Sequence, residues 1–222
     1  MPAGTITALR QQSNDPQRVN VFIDGEFALG ISLNTLVRER LAVGVQLDEA
    51  AWECLVASEQ ADQALQKALQ QLERRPRSTA EMRRYLQRKG FDEATCVRVI
   101  ARLHELGLLN DADFARRWVA NRRALLPRSD RALRAELRHK GIAPAIIDEA
   151  LAAEDDGMSE RERAEAVARA VLPRYARVAD WAAFQRRFGG YLLRRGFAAD
   201  LIRPILARLW RELHPGADGP DW

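Results

Sequence analysis

The chain has 222 residues, 47% of them hydrophobic and 30% charged, which excludes a wholly disordered chain and suits one or two domains or a row of small modules. Its net charge of +4 is unevenly spread: residues 1–60 carry four basic and eight acidic side chains, 61–153 carry 19 and 12, and 154–222 carry 12 and 11. No run approaches the ~18 apolar residues of a membrane span and no charged-then-apolar leader is visible, so a cytoplasmic protein off the membrane is expected, while the basic middle suits an anionic partner, nucleic acid or an acidic protein surface.

Residues 5–9 alternate as a strand, Asn14-Asp15-Pro16 is a turn cluster, and the β-branched and aromatic run Val19 to Ile23 predicts a second strand. Asp24-Gly25 is a two-residue hairpin signal, because both central positions of that turn want positive φ, and Glu26 to Ile31 is the return strand. Ser32 caps a short helix over 33–41, and Val43-Gly44-Val45 turns the chain toward Leu47 and Asp48. Residues 1–47 thus predict a small three-stranded α+β subdomain built on a hairpin. Three strands are barely enough to stand alone, so it should lean on a neighbour. From Asp48 a long helical pattern runs through Trp52, Leu55, Val56, Ala64, Leu65, Ala68, Leu69 and Leu72 to Arg74-Arg75-Pro76, with a break expected near Ser58. That break would make 48–60 a connector and 61–75 the first helix of a module.

An internal repeat follows. Ser78-Thr79-Ala80-Glu81 can form a capping box, Met82, Tyr85 and Leu86 keep helical spacing, and Gly90 stops the helix before Phe91, expected as a buried plug. A second helix carries Val97, Ile100 and Leu103 up to Gly107, and a third carries Phe114, Trp118 and Val119. Aligning Gly90 with Gly141 and Gly196 brings Lys89, Lys140 and Arg195 into one column and Phe91, Ile142 and Phe197 into the next. Four residues before each glycine stand Leu86, Leu137 and Leu192; eight before, Met82, Leu133 and Phe188. Six after stand Cys96, Ile147 and Ile202; ten after, Ile100, Leu151 and Leu206. The fold class is therefore mainly α, with tandem three-helix repeats in an elongated array over 61–110, 111–156 and 157–213. First helices fall at about 61–75, 111–125 and 160–172, and Leu126-Pro127-Arg128 and Leu172-Pro173-Arg174 close the later two alike. In the third copy Gly189-Gly190 should weaken the basic helix by ~1 kcal/mol per glycine, and Pro204 should kink the last helix or delay its start. The Pro/Gly/Asp-rich tail 214–222 is expected to fray.

Catalytic signatures are missing. No Gly-rich loop ends in Lys-Ser or Lys-Thr, no Ser sits in a nucleophile elbow, and His104, His139 and His214 are scattered without a ligand-spaced Cys, Asp or Glu. A non-enzyme without metal or cofactor is the reading. Cys54 and Cys96 are expected to be buried, reduced thiols. What remains are the basic helices: Arg83, Arg84, Arg88 and Lys89 before the first glycine; Arg131, Arg134, Arg138 and Lys140 before the second; Arg186, Arg187, Arg194 and Arg195 before the third. Together they could form a charged stripe for a partner or DNA. Lys89, Lys140 and Arg195 also sit where a cation favours the helix dipole, by ~0.3–1 kcal/mol. Trp118 and Tyr85 fit core spacing better than base stacking.

Arg77-Ser78 and Glu81, Leu86-x-x-Lys89-Gly90-Phe91, Val99-Ile100-x-x-Leu103, Gly107-Leu108-Leu109-Asn110-Asp111 and Phe114-Ala115-Arg116-x-Trp118-Val119-x-x-Arg122 together resemble the RecX family, regulators of the RecA recombinase. Leu133-x-x-Glu136-Leu137-x-x-Lys140-Gly141-Ile142 supplies the second copy; the third matches more loosely. The resemblance implies a monomeric inhibitor that binds in the groove of the RecA filament on single-stranded DNA. It would suppress the ATPase, strand-exchange and coprotease activities, promote disassembly, and so modulate DNA repair, recombination and the SOS response. Weak direct contact with DNA would accompany this. The alternative from the residues alone is a stand-alone helix-turn-helix-like DNA-binding protein.

Overall fold

The computed structural model describes residues 3–125, 127–155 and 157–215. The chain divides into two compact units, Met1–Leu109 and Asn110–Trp222.

The first unit begins with strands β1 (Gly4–Gln11), β2 (Arg18–Ile23) and β3 (Glu26–Ser32), then helix α1 (Leu33–Arg38) and a short strand β4 (Gln46–Leu47). The hairpin turn is as its sequence requires, with Asp24 at φ 48° and Gly25 at φ 90°. The sheet has four antiparallel strands in the order β3-β2-β1-β4, not three. Two residues are too short to display alternation. What seats β4 is the turn at Gly44 (φ 94°), whose N–H donates to the Ile6 carbonyl at 2.8 Å while Ile6 N–H donates to the Val45 carbonyl at 2.9 Å. Helix α1 stops short of residue 41, because Arg40 takes φ 52° and Leu41 N–H turns back to the Leu36 carbonyl. One face of the sheet buries Ile6, Val19, Val21, Ile23 and Ile31 with Leu55 of the next helix.

That helix, α2 (Glu49–Arg74), is capped by Asp48 and runs unbroken through Ser58. Ser58 is buried and tied to α1: its Oγ and carbonyl both accept from Arg38, and its hydroxyl donates to Glu39. The polar side chain is satisfied outside the helix and has no reason to open it. One turn on, Glu59 is 1% exposed, 3.0 Å from the Arg18 guanidinium, and accepts from the Ser32 N–H at 2.8 Å. Here the subdomain leans on its neighbour.

The rest of α2 packs Ala64 and Ala68 against α3 (Thr79–Arg88) and α4 (Glu93–Glu105). The Ser78–Glu81 capping box is formed, and Gly90 closes the helix at φ 88°. On α4, Val99 and not Val97 faces the core. Val97 is 49% exposed, since the buried set Cys96, Val99, Ile100, Leu103 fixes the inward face. Phe91 is half-buried rather than a buried plug, and packs at the edge of this core. Cys96 is buried, but Cys54 is exposed, lying on α2 beside Leu55, which takes the inward position.

The second unit holds α5 (Asp111–Leu125), α6 (Asp130–His139) and α7 (Pro144–Ala153), then α8 (Glu160–Val171), a 3-10 turn at Leu172–Arg174, α9 (Trp181–Arg194) and α10 (Ala199–Leu213). Leu126 of the predicted closing motif and 216–222 of the predicted tail lie outside the described residues. The repeat alignment reappears as burial: Leu133, Leu137, Ile147 and Leu151 fill one core, and Phe188, Leu192, Ile202 and Leu206 fill the next. Gly141 and Gly196 take φ 80° and 91°. Neither predicted disturbance of the third copy breaks its helices. Gly189 is buried, and a Cβ on it would stand 3.4 Å from Leu206 Cδ1, so the missing side chain lets α9 and α10 approach closely. α10 starts five residues before Pro204, which lies inside it and forgoes one backbone bond to the first turn, while Ile202, Ile205, Leu206, Leu209 and Trp210 hold the helix to the core.

Candidate partner-binding surface

The three basic helices are α3, α6 and α9. In each, two large apolar residues four apart are fully buried, Met82/Leu86, Leu133/Leu137 and Phe188/Leu192, which fixes the inward face and turns the opposite one to solvent. Each is started by a side chain that accepts from a first-turn N–H: Ser78, Ser129 and Asp180. The twelve candidate cations then separate by what they touch.

Nine are exposed: Arg83, Arg84, Arg88 and Lys89 at α3, Arg131 and Arg138 on α6, and Arg186, Arg187 and Arg194 on α9. The Lys89 ammonium lies 5.8 Å from the Tyr85 ring centroid. Five of the twelve make the following contacts within the fold. Arg83 pairs with Glu93 of α4 at 3.3 Å, and Arg134 pairs with Asp148 of α7. These two occupy equivalent positions, seven residues before Gly90 and Gly141. Arg131 Nε donates to the Gly196 carbonyl at 3.2 Å, and Arg195 reaches the Pro127 carbonyl at 3.4 Å while lying 4.5 Å over Tyr191. Lys140 stands 4.2 Å above Trp118.

Arg131 and Arg195 belong to a junction between the second and third repeats. Ser129 N–H donates to the Arg195 carbonyl at 3.0 Å, and a Cβ on Gly196 would fall 2.4 Å from Ser129 Oγ and 2.5 Å from Ala132 Cβ. In α3 the Ser78 N–H is taken by Glu81 instead. Ala132 replaces that glutamate in α6, which leaves the cap's N–H and the space beside it to the following repeat.

A cluster around Trp118 was not legible as such in the sequence. Glu136 accepts from Trp118 Nε1 at 2.8 Å and Arg122 Nε at 3.0 Å and pairs with Arg128 at 2.6 Å. Arg122 lies 4.4 Å from the Trp118 centroid, so the indole is a structural element lodged among cations. The spacing of four between Trp118 and Arg122 on one helix was the available signal. Two carboxylates at helix starts are held below their ordinary range: Asp92 by the backbone and side chain of Thr95, and Glu162 by the side chain and backbone of Ser159. Burial, reinforced by Glu93 and Asp92, pushes the Cys96 thiol up. No three His, Cys, Asp or Glu side chains converge as a metal site among the described residues, and no helix among them is long and apolar enough to cross a membrane.

Comparison with known proteins places these modules. Four family models match: the regulatory protein RecX N-terminal domain over residues 4–48, and the first, second and third three-helix domains of RecX over 64–103, 110–151 and 159–206. The regulatory protein RecX of Mycobacterium avium (strain 104) is 41% identical over 60% of this chain and 77% of its own length. That of Mycobacterium leprae (strain Br4923) is 40% identical over 57% and 74%. A crystal structure of regulatory protein RecX shares the fold with a TM-score of 0.69 over 90% of this chain and 98% of that one, at 22% identity. The crystal structure of RecX from Lactobacillus salivarius gives 0.55 over 68% and 97%. The chain belongs to the RecX family of regulatory proteins.

Proposed function

We infer that this chain regulates the RecA recombinase without catalysing a reaction itself. It binds along the groove of the RecA filament on single-stranded DNA and suppresses ATP hydrolysis, strand exchange and coprotease action, with filament disassembly as the end point. DNA repair, recombination and the SOS response would be modulated accordingly. The observation that carries the reading is a repeat whose apolar positions are buried alike in three modules, while the middle helix of each leaves exposed cations on its outer side. Each such contact is weak in solvent, worth about 0–1 kcal/mol. Several carried by one chain act at high effective concentration, so affinity comes from their number. Holding neighbouring filament subunits at fixed spacing would oppose the rearrangements that hydrolysis and strand exchange need.

The experiment is to titrate the purified chain into RecA hydrolysing ATP on single-stranded DNA, at low and at raised salt. Inhibition that weakens as salt screens the contacts is expected. Sequence-specific binding to duplex DNA alone, with hydrolysis untouched, would overturn the reading in favour of a DNA-binding protein acting by itself.

A further inference from the structure

The third repeat differs from the other two at one interaction. In the first two, the arginine seven residues before the glycine reaches the last helix and is neutralised there, Arg83 by Glu93 and Arg134 by Asp148. In the third, that position is Gly189, and the positions equivalent to Glu93 and Asp148 are Ala199 and Arg203. Both halves of the ion pair are gone, and an open groove of about 350 Å³ lies between α9 and α10. Gly189, Gly190, Leu193, Ile202 and Leu206 give it an apolar lining. Leu193 is 49% exposed, where the other repeats carry the polar Gln87 and Arg138. Arg186 and Arg203 also line the groove, and among the described residues neither has a carboxylate within 4.0 Å. Between Asp180 and Asp200 the chain has no acidic residue, and Asp200 itself is exposed on the first turn of α10.

We propose that this groove is a docking site for a protein segment that presents an apolar side chain flanked by carboxylates. The apolar lining would take the side chain, and Arg186 and Arg203 would take the carboxylates, a pairing that Arg can make with two parallel hydrogen bonds. Nucleic acid fits less well, since no aromatic side chain lines the groove for a base to stack on. The inference rests on the reading that the partner is the recombinase filament and adds what the third repeat holds there.

The test uses the full chain with a photo-crosslinking residue, Leu193→p-benzoylphenylalanine, and as reference Arg138→p-benzoylphenylalanine, each irradiated with RecA filaments on single-stranded DNA. Helical circular dichroism and an unchanged melting transition establish that the fold is kept. Adducts from position 193 should map to a recombinase segment bearing at least two acidic residues beside an apolar one. Adding Arg186→Glu and Arg203→Glu should lower their yield about fivefold, as expected for two exposed ion pairs. Adducts to the DNA, adducts to a segment without acidic residues, or none at 193 while position 138 crosslinks, would overturn the groove and leave the regulatory reading standing. If neither position crosslinks and hydrolysis is untouched, both fall.

Discussion

Cys54 and Cys96 both stand on helices, yet burial separates them: Cys96 lies in the core of the first repeat, and Cys54 faces solvent. Since the thiolate is the reactive species and burial pushes the Cys96 thiol up, one thiol per chain should react with a maleimide in native buffer and the second only in denaturant; mass spectrometry of the labelled peptides reads the result. The caps at Asp92 and Glu162 make a second residue-scale prediction. Their carboxyls are lowered in the fold, so the stability they add is complete above the ordinary carboxylate range of about 4 and is lost as pH falls through the lowered folded values. Asp92→Asn with Glu162→Gln keeps hydrogen-bonding caps without the titration, and its melting temperature should fall less steeply than the wild type's below pH 4. Caps of this kind are legible in sequence, as at Ser78 and Glu81, because each acts within three residues of itself. Glu59 is not: its partners Arg18 and Ser32 are distant in the chain, and only the folded sheet brings them to it. Arg18→Ala, which strands a buried carboxylate, should cost about 3 kcal/mol in urea denaturation.

At the scale of elements, the periodicity of apolar residues and the glycine stops located the helices, and their lengths failed where a tertiary partner decided the outcome. Ser58 looked like a break because a polar residue interrupted the apolar pattern; Arg38 of α1 and Glu39 just after it satisfy it. Strand β4 escaped notice because pairing with β1, and no pattern of its own, defines it. Gly189-Gly190 looked like weakness, whereas the close packing of α9 on α10 uses the missing side chain of Gly189. Glycines at equivalent positions can likewise differ in what they do. Gly90 and Gly196 both take positive φ, but a Cβ on Gly90 would meet nothing within 4 Å, while one on Gly196 would collide with Ser129 and Ala132. Gly90→Ala should cost about 1–2 kcal/mol from backbone strain. Gly196→Ala should cost about 1–3 kcal/mol more, because the junction with the second repeat must also give way. Equal losses in chemical denaturation would mean that the junction carries no energy.

For the whole molecule, the repeat made the family legible and the fold with it, because the same apolar columns recur around three glycines and all are buried except at Phe91, which is half-buried. The candidate surface was legible only in outline. Sequence gives the charge of a helix but not what each charge touches. Members of two regular columns are committed within the fold: Arg83 and Arg134 in ion pairs, and Lys140 and Arg195 over aromatic rings, whereas Lys89 of the second column stays exposed. Among the exposed cations, Arg88 and Arg194 share the position two before the glycine, while Arg84, Arg138 and Arg187 each stand where the other copies carry no cation. That sharpens the central claim, which is that exposed cations on the outer sides of the middle helices hold the regulator on the filament. The direct measurement is inhibition of RecA ATP hydrolysis on single-stranded DNA by a chain carrying Arg84→Glu, Arg88→Glu and Arg138→Glu. Beside it stands a control with the same change in charge at three other exposed arginines, Arg161→Glu, Arg174→Glu and Arg177→Glu. The first variant should need at least about tenfold more protein for half-inhibition, a loss of about 1.4 kcal/mol, while the control stays near wild type. Equal inhibition by both variants and the wild type would contradict that claim.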